Sequence, residues 1–407
     1  MQARILLIWL PLFVLCSCSV GGESSNSKVV PDNVVPLVVD RGYNGLASNT
    51  SFITLTVCIP NTNDCQVLDH VFVDTGSTGL RINQSALNIN LRSINFYEST
   101  IYQCMKFGEG YTFGPAVTAD VRIGGETAKN IPVQVFNDVD HSNVPTDCSN
   151  GLPFADLNNF GAKAIVGVNP YSNPNNNYTG VYTCRESQSC AKVENPREIP
   201  VQLNLNPVVA FSKDNNGLII NLPPVNFAES SALVGYMVFG LDTQNNNQVN
   251  SSPVKVLGSS NPDFQVGYFH ANSNSLNSSY AIFDSGYQTY YFYDANMAQC
   301  TLPNPDGHSY YCPNSFSQYW SSRISSYNSA DIVGEISALI INYEVTLGLH
   351  DTVVPGLGEV ASQVDNLTIY GLPFFFGKRV YIGLMGESGN QTPLGIGPAW
   401  GYESSLN

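Results

Sequence analysis

Apolar and polar residues alternate with period two over most of the chain, the signature of half-buried β-strands. From Ile53 the segment ITLTVCIP turns through NTND into CQVLDHVFVDTG, two β-branched runs around an Asn/Asp turn, and this predicts a hairpin. The stretch Phe107–Phe136, FGEGYTFGPAVTADVRIGGETAKNIPVQVF, reads as strands separated by glycine turns. AKAIVGVNP (162–170) is a short continuous apolar run, while NPNNN (173–177) and DTQNNNQVN (242–250) read as loops. Helical periodicity is scarce. Its best instance is Ser317–Ile341, where Tyr319, Trp320, Ile324, Ile332 and Ile336 could share a face despite Gly334.

The second half repeats the first in outline. YMVFGLD (236–242) is a strand and turn, and SSYAIFDSGYQTYYF (278–292) is an apolar strand ending in Asp-Ser-Gly. LTIYGLPFFFGKRVYIGL (367–384) is an apolar run with Gly371 followed by an aromatic strand. Each half thus holds a strand ending in Asp-hydroxyl-Gly and, downstream, an apolar-apolar-Gly segment: AIVG in the first, TIYG in the second. A repeat of about half the chain predicts a duplicated lobe rather than a solenoid.

Composition agrees with a β-rich chain. Of 407 residues, 34 are Gly and 24 Pro, and only 12% are charged, which favours short strands and turns. The formal charge of −15 argues against nucleic acid as a partner and against electrostatic docking on anionic lipid.

The N-terminus reads as an export signal. Arg4 precedes an apolar run, Ile5 to Leu15, that is short for a bilayer span. LCSC (15–18) resembles the lipobox of bacterial lipoproteins, with Cys18 as the lipidated residue, and Ser19 after it favours the outer membrane by the same resemblance. An ordinary secretory signal is the alternative. The expected organisation is a signal peptide (1–17), a small-residue tether (18–35), an N-terminal β-lobe (36–205) and a C-terminal β-lobe (206–407). The tether includes GGESSNSKVVPDN, which has one lysine and no basic pro-segment character. Beyond the signal lie Cys58, Cys65, Cys104, Cys148, Cys184, Cys190, Cys300 and Cys312, an even count in an exported chain, hence disulfide candidates. Eight cysteines admit many pairings. The local pairs 58–65, 184–190 and 300–312 would close short loops and leave 104–148. Zinc is the rival reading, but there is no C-x-x-C and the five histidines lack ligand spacing, so no metal is expected. Sequons such as the one at Asn177 reflect an Asn-rich surface.

A single Asp-Thr/Ser-Gly tripeptide says little. Two of them, Asp74-Thr75-Gly76 and Asp284-Ser285-Gly286, each closing an apolar strand, point to chemistry. Two carboxyls held about 3 Å apart cannot both ionise easily and share one proton. The ionised member can draw a proton from a water between them, and the protonated member can polarise a carbonyl. Glycine beside each acid permits close backbone approach, and the hydroxyls of Thr75 and Ser285 can bond across to the opposite loop. Two unrelated Asx turns are the bland reading of the same residues.

In order along the chain, ITLTV…VFVDTGSTGL, FGEGYTFGPAVTADVRIGG, AIVGV, VFGLD, AIFDSG and TIYGLPFFFGKRVYIGL resemble the pepsin-like aspartic peptidases, over most of the length. That resemblance implies an all-β, bilobal pepsin-like aspartic protease fold, two related β-lobes with the active-site cleft between them. It implies Asp74 and Asp284 as the catalytic pair, supported by Thr75, Gly76, Ser77, Ser285 and Gly286. A flap or substrate cleft would be built from Phe107, Gly108, Tyr111, Arg81 and Tyr287. No cofactor is expected, since carboxylates alone activate the water. The expected partner is a peptide or protein substrate, with membrane contact only through the N-terminal lipid and the protein a monomer.

Three positions depart from the family's pattern. Ser77 follows the first motif as usual, but Tyr287 takes the place where the second usually has Ser or Thr. Losing a hydroxyl bond to the ionised acid raises its pKa, which predicts a pH optimum shifted toward neutral. Phe107 stands for the flap tyrosine, and Arg81 for the tryptophan that often bonds it; Arg81 stacked on Phe107 is one replacement contact, Tyr111 over the site another, and plain hairpin packing a third. The expected function is an aspartic endopeptidase anchored at the bacterial cell envelope. The alternatives are a catalytically silent pepsin-like lipoprotein that binds peptides or proteins, and a carbohydrate-binding surface protein using YQTYYFY (287–293).

Overall fold

The computed structural model describes residues 31–404 except 109, 138–143, 150, 155–159, 172–178, 186–188, 228–230, 251, 260–268, 274–278, 302–306, 347–351, 363, 365, 386–390 and 397. The expected signal peptide, Cys18, most of the tether and Asn177 lie outside these residues. Among the described residues no helix is long and apolar enough to cross a membrane.

Strands dominate, as the period-two pattern predicts, and they form two large sheets of 18 and seven strands. Strand Val34–Val39, which begins inside the expected tether, buries Val35, Leu37 and Val39 on one face. It pairs antiparallel with Leu233–Phe239 from the second half of the chain and with Ser51–Cys58 from the first. From Leu233–Phe239 the ladder runs on through Gly217–Leu222, Lys378–Gly383, Ala399–Ser404 and Val254–Leu257. This layer ties the two halves together through backbone hydrogen bonds rather than surface contact. Its apolar side chains join one continuous core with those of both halves of the chain, as expected where a sheet must be covered on both faces.

The seven-stranded sheet belongs to the second half and includes Ser279–Phe283, Leu367–Tyr370 and Tyr290–Phe292. Behind Phe283 the rings of Phe374, Tyr370, Phe269, Trp400 and Tyr402 pack with centroids 4.5–5.8 Å away, so the strand that leads into Asp284 has a rigid aromatic backing.

The helical reading of Ser317–Ile341 is corrected. Ser317–Ser325 and Ile332–Ile341 form an antiparallel hairpin with a register shift between Ile324 and Ser325. Trp320, Ser322 and Ile324 point inward with Ile336, Ala338 and Ile340, whereas Tyr319 is 79% exposed. Spacings of four satisfy period two as well as period 3.6. Pairing with Phe269–Ser273 in the sheet chose the former.

Four disulfides are present: Cys58–Cys65, Cys104–Cys148, Cys184–Cys190 and Cys300–Cys312. Two of them bridge residues directly opposite in hairpins, Cys58 with Cys65 and Cys184 with Cys190. Cys104–Cys148 joins a strand of the Ser99–Lys106/Gly110–Ile123 hairpin to a distant turn.

Candidate active site

Asp74 is the last residue of strand Cys65–Asp74, whose interior neighbours Val71 and Val73 are fully buried. Ala164–Val168 runs parallel to it and antiparallel to Thr78–Asn83, so the loop 75–77 crosses the gap between two strands of one sheet. Asp284 follows strand Ser279–Phe283 in the same way. Leu367–Tyr370 runs parallel to that strand and antiparallel to Tyr290–Phe292. The two apolar-apolar-Gly segments of the sequence are these central strands. Backbone bonds from Asn169 N to Ser77 O (2.9 Å) and from Leu372 N to Tyr287 O (2.7 Å) hold the loops above them.

The two loops meet and brace each other with four hydrogen bonds. Thr75 Oγ1 donates to Phe283 O (2.9 Å) and accepts from Ser285 N (2.8 Å). Ser285 Oγ donates to Val73 O (2.8 Å) and accepts from Thr75 N (3.1 Å). All four are buried, and each hydroxyl is satisfied as donor and acceptor.

The carboxyls face each other across this brace. Gly76 N donates to Asp74 Oδ1 and Gly286 N to Asp284 Oδ1, both at 2.8 Å. Asp284 is in hydrogen-bonding contact with Asp74 and with Gly76 N. A Cβ at Gly76 would sit 2.4 Å from Asp284 Oδ2, and one at Gly286 would sit 2.6 Å from Asp74 Oδ1. Only glycine lets each backbone reach the opposite acid.

The two acids differ in their support. Asp74 also accepts from Ser77 Oγ. Asp284 keeps some exposed surface but is densely surrounded by protein. That burial, and next the negative charge on Asp74, push its carboxyl well above the usual carboxylate range. No described hydroxyl donates to Asp284. Tyr287, which follows Gly286, sends its hydroxyl to Glu359 Oε2 (2.9 Å). Buried Glu359 also accepts from Thr289 Oγ1 (3.1 Å), and its other oxygen lies 2.7 Å from His308 Nδ1.

Phe107 N bonds Gly110 O (2.7 Å) to close the turn of the Ser99–Lys106/Gly110–Ile123 hairpin, with Gly108 exposed beside it. The Phe107 ring packs 5.3 Å from Phe154, which stacks on Phe160 at 5.1 Å. The Arg81 guanidinium lies 5.7 Å from the Phe107 ring centroid. Tyr111 is buried with Tyr102, Phe113, Tyr182 and the Cys104–Cys148 bridge, the surroundings of a hairpin-packing residue. Among the described residues one group of acids and sulfurs is close enough to hold a metal, Cys300, Cys312 and Glu344. Its two sulfurs are joined as a disulfide and offer no thiolate.

Glu359 and His308 beside Tyr287, and Asn204 and Gln103, which reach the site through Arg81, are neighbours that sequence reasoning does not find. None falls in a repeated motif or an amphipathic pattern. Their roles come from side chains folded inward, which no local signal marks.

A family model described as "Protein of unknown function (DUF3443)" matches residues 29–402. No curated protein matches the sequence. Among solved structures the fold is similar to an aspartic proteinase from Irpex lacteus, with a TM-score of 0.55 and 13% identity over 91% of this chain and 97% of that one. The fold is therefore that of a pepsin-like aspartic proteinase.

Proposed function

This chain belongs to the DUF3443 family, and we propose that it is an aspartic endopeptidase that hydrolyses peptide bonds with a water held between Asp74 and Asp284. The observation that carries this reading is the reciprocal contact of each carboxyl with the other loop's glycine, inside a fully hydrogen-bonded brace. Such an arrangement costs stability, because it buries two acids against each other, and that cost has a use in a shared-proton pair.

The asymmetry assigns the roles. Asp74, supported by Ser77, is the anion that takes a proton from the water. Asp284, whose carboxyl is pushed up, is the acid that donates to the substrate carbonyl oxygen. The pair titrates as a unit. The substrate that suits such a pair among strands is an extended peptide, whose amide groups can pair with strand edges. The lipobox-like LCSC segment and the four disulfides support export and anchoring at the bacterial envelope.

The direct test is cleavage of a peptide library by the wild type and by Asp74→Asn. Turnover by the wild type alone is expected. Peptide bound but uncut by both would favour the silent binding protein.

A pH prediction follows from Tyr287. Burial and the charge on Asp74 keep Asp284 in its acid form to higher pH, with no hydroxyl to oppose them, so kcat/KM should peak above about pH 4, beyond the ordinary carboxylate value. Tyr287→Thr places a hydroxyl where Ser77 stands in the other loop. A bond to the ionised form lowers the Asp284 pKa, so the alkaline limb of kcat/KM should move down by roughly one pH unit. An alkaline limb unmoved by the substitution would reject this account of Tyr287.

A further inference from the structure

Arg81 is a cation beside the first catalytic loop, and its surroundings are unusual. It lies on strand Thr78–Asn83 and is fully buried. Buried charges are ordinarily ion-paired, because an unpaired one carries a large desolvation cost. Among the described residues no carboxylate forms a salt bridge with Arg81. Its Nη2 donates to Thr78 O (2.6 Å) and to Asn204 Oδ1 (3.3 Å), its Nη1 donates to Gly79 O (3.2 Å), and its Nε has no acceptor.

The positions paired with Arg81 on the neighbouring strands are uncharged. At its own level Arg81 is flanked by Ile165 of Ala164–Val168 and Gln134 of Glu126–Phe136. Gln103 arrives through Asn204, donating to the same Oδ1 at 2.9 Å, and Phe107 lies above the guanidinium. Burial pushes the guanidinium down to about 10, so it stays charged at neutral pH, and the carboxylate that acts against this loss is Asp74. The two carbonyls that Arg81 grips open its own strand, directly after the loop 75–77 that follows Asp74.

We propose that Arg81 is a positioning residue. Its buried guanidinium holds the Thr78 and Gly79 carbonyls, directly after the first catalytic loop, and supplies the counter-charge to Asp74. The inference rests on the endopeptidase reading for its kinetic consequence, but the charge coupling itself is a property of the folded chain. The asymmetry between the acids then has two sources. Asp74 has Ser77 and a buried cation, while Asp284 has neither. A singly ionised pair and Arg81 together carry no net charge.

The test uses Arg81→Met, which keeps length and removes charge, and Arg81→Lys, which keeps charge but cannot span both carbonyls. Each is made in the full disulfide-bonded chain, alone and together with Asp74→Asn. Removing a nearby positive charge raises a carboxylate pKa, so Arg81→Met should move the acid limb of kcat/KM up by about one pH unit, a roughly tenfold loss below it. Arg81→Lys should leave that limb within a few tenths of a unit and lower kcat instead. In thermal melts at neutral pH, Arg81→Met should lower Tm in the wild-type background and much less beside Asp74→Asn, where the cation has already lost its counter-charge.

An unmoved acid limb, with equal Tm losses in the two backgrounds, would reduce Arg81 to scaffolding and overturn the proposal. If the wild type cuts no peptide, the endopeptidase reading fails, while the melting cycle still decides the coupling. Should Arg81→Met not fold, Arg81→Gln, which retains a donor for Thr78 O, takes its place in the same cycle.

Discussion

Asp74→Asn and Asp284→Asn are each expected to cut kcat by about a thousandfold or more, since either change leaves no acid–base pair on the water and the carbonyl. Their effects on stability should have opposite signs. Asp284 holds its proton more tightly folded than unfolded. Its contribution is therefore full below the ordinary carboxylate pKa and is lost as pH rises through the raised folded value. An amide at that place has no proton to lose. Asp284→Asn should thus melt above the wild type near pH 7, with the gap closing near about pH 3, below the unfolded carboxylate pKa. Asp74→Asn should melt below the wild type, because it weakens the Ser77 bond and strips Arg81 of its counter-charge. Scanning calorimetry across pH, beside single-turnover cleavage, measures both. A Tm gain for Asp284→Asn that is the same at both pH values would contradict the raised pKa, and undiminished cleavage by either variant would end the dyad reading.

Gly76→Ala and Gly286→Ala form the second large effect, and their cause is steric rather than backbone strain. The methyl of Gly76→Ala would start 2.4 Å from Asp284 Oδ2, and that of Gly286→Ala 2.6 Å from Asp74 Oδ1. Neither contact is tolerable, so the opposite carboxyl must move by around an ångström. Displacements of that size at reacting groups cost about a hundredfold in rate, and the lost Gly76 N contact adds to it. Each variant should lose at least that much kcat/KM while keeping its four disulfides and far-ultraviolet circular dichroism. Each should also weaken binding of a transition-state mimic such as a statine peptide more than binding of a substrate-like peptide. A variant with near wild-type kcat/KM would show that the two carboxyls do not meet over these glycines.

Much of this was readable in the chain. The runs ending in Asp74 and Asp284 are strands because β-branched and aromatic residues crowd into a few positions, and the glycines after the hydroxyls announce a place where backbone must come close. AIVG and TIYG announced the partner strands, and the cysteines of the short hairpins lie opposite one another because hairpin register puts them there. Such features depend on residues a few positions apart, and local geometry decides them.

Other features depended on what the chain meets at long range. Tyr319 and Trp320 fit a helix face as well as a strand until Phe269–Ser273 paired with their segment. Arg81 carries the signal of an exposed residue in GLRIN, yet strands on both sides cover it and Asn204 meets it from far along the chain. Tyr287 announces a missing hydroxyl, but that its ring turns to Glu359 is set by the fold of a segment over seventy residues away. The sequence by itself determined the strands, the duplicated motif and the two acids, because period and residue type act over a few bonds. The tertiary structure alone decided which charges and hydroxyls support those acids, because a buried polar group takes its partner from whichever distant segment the packing brings beside it.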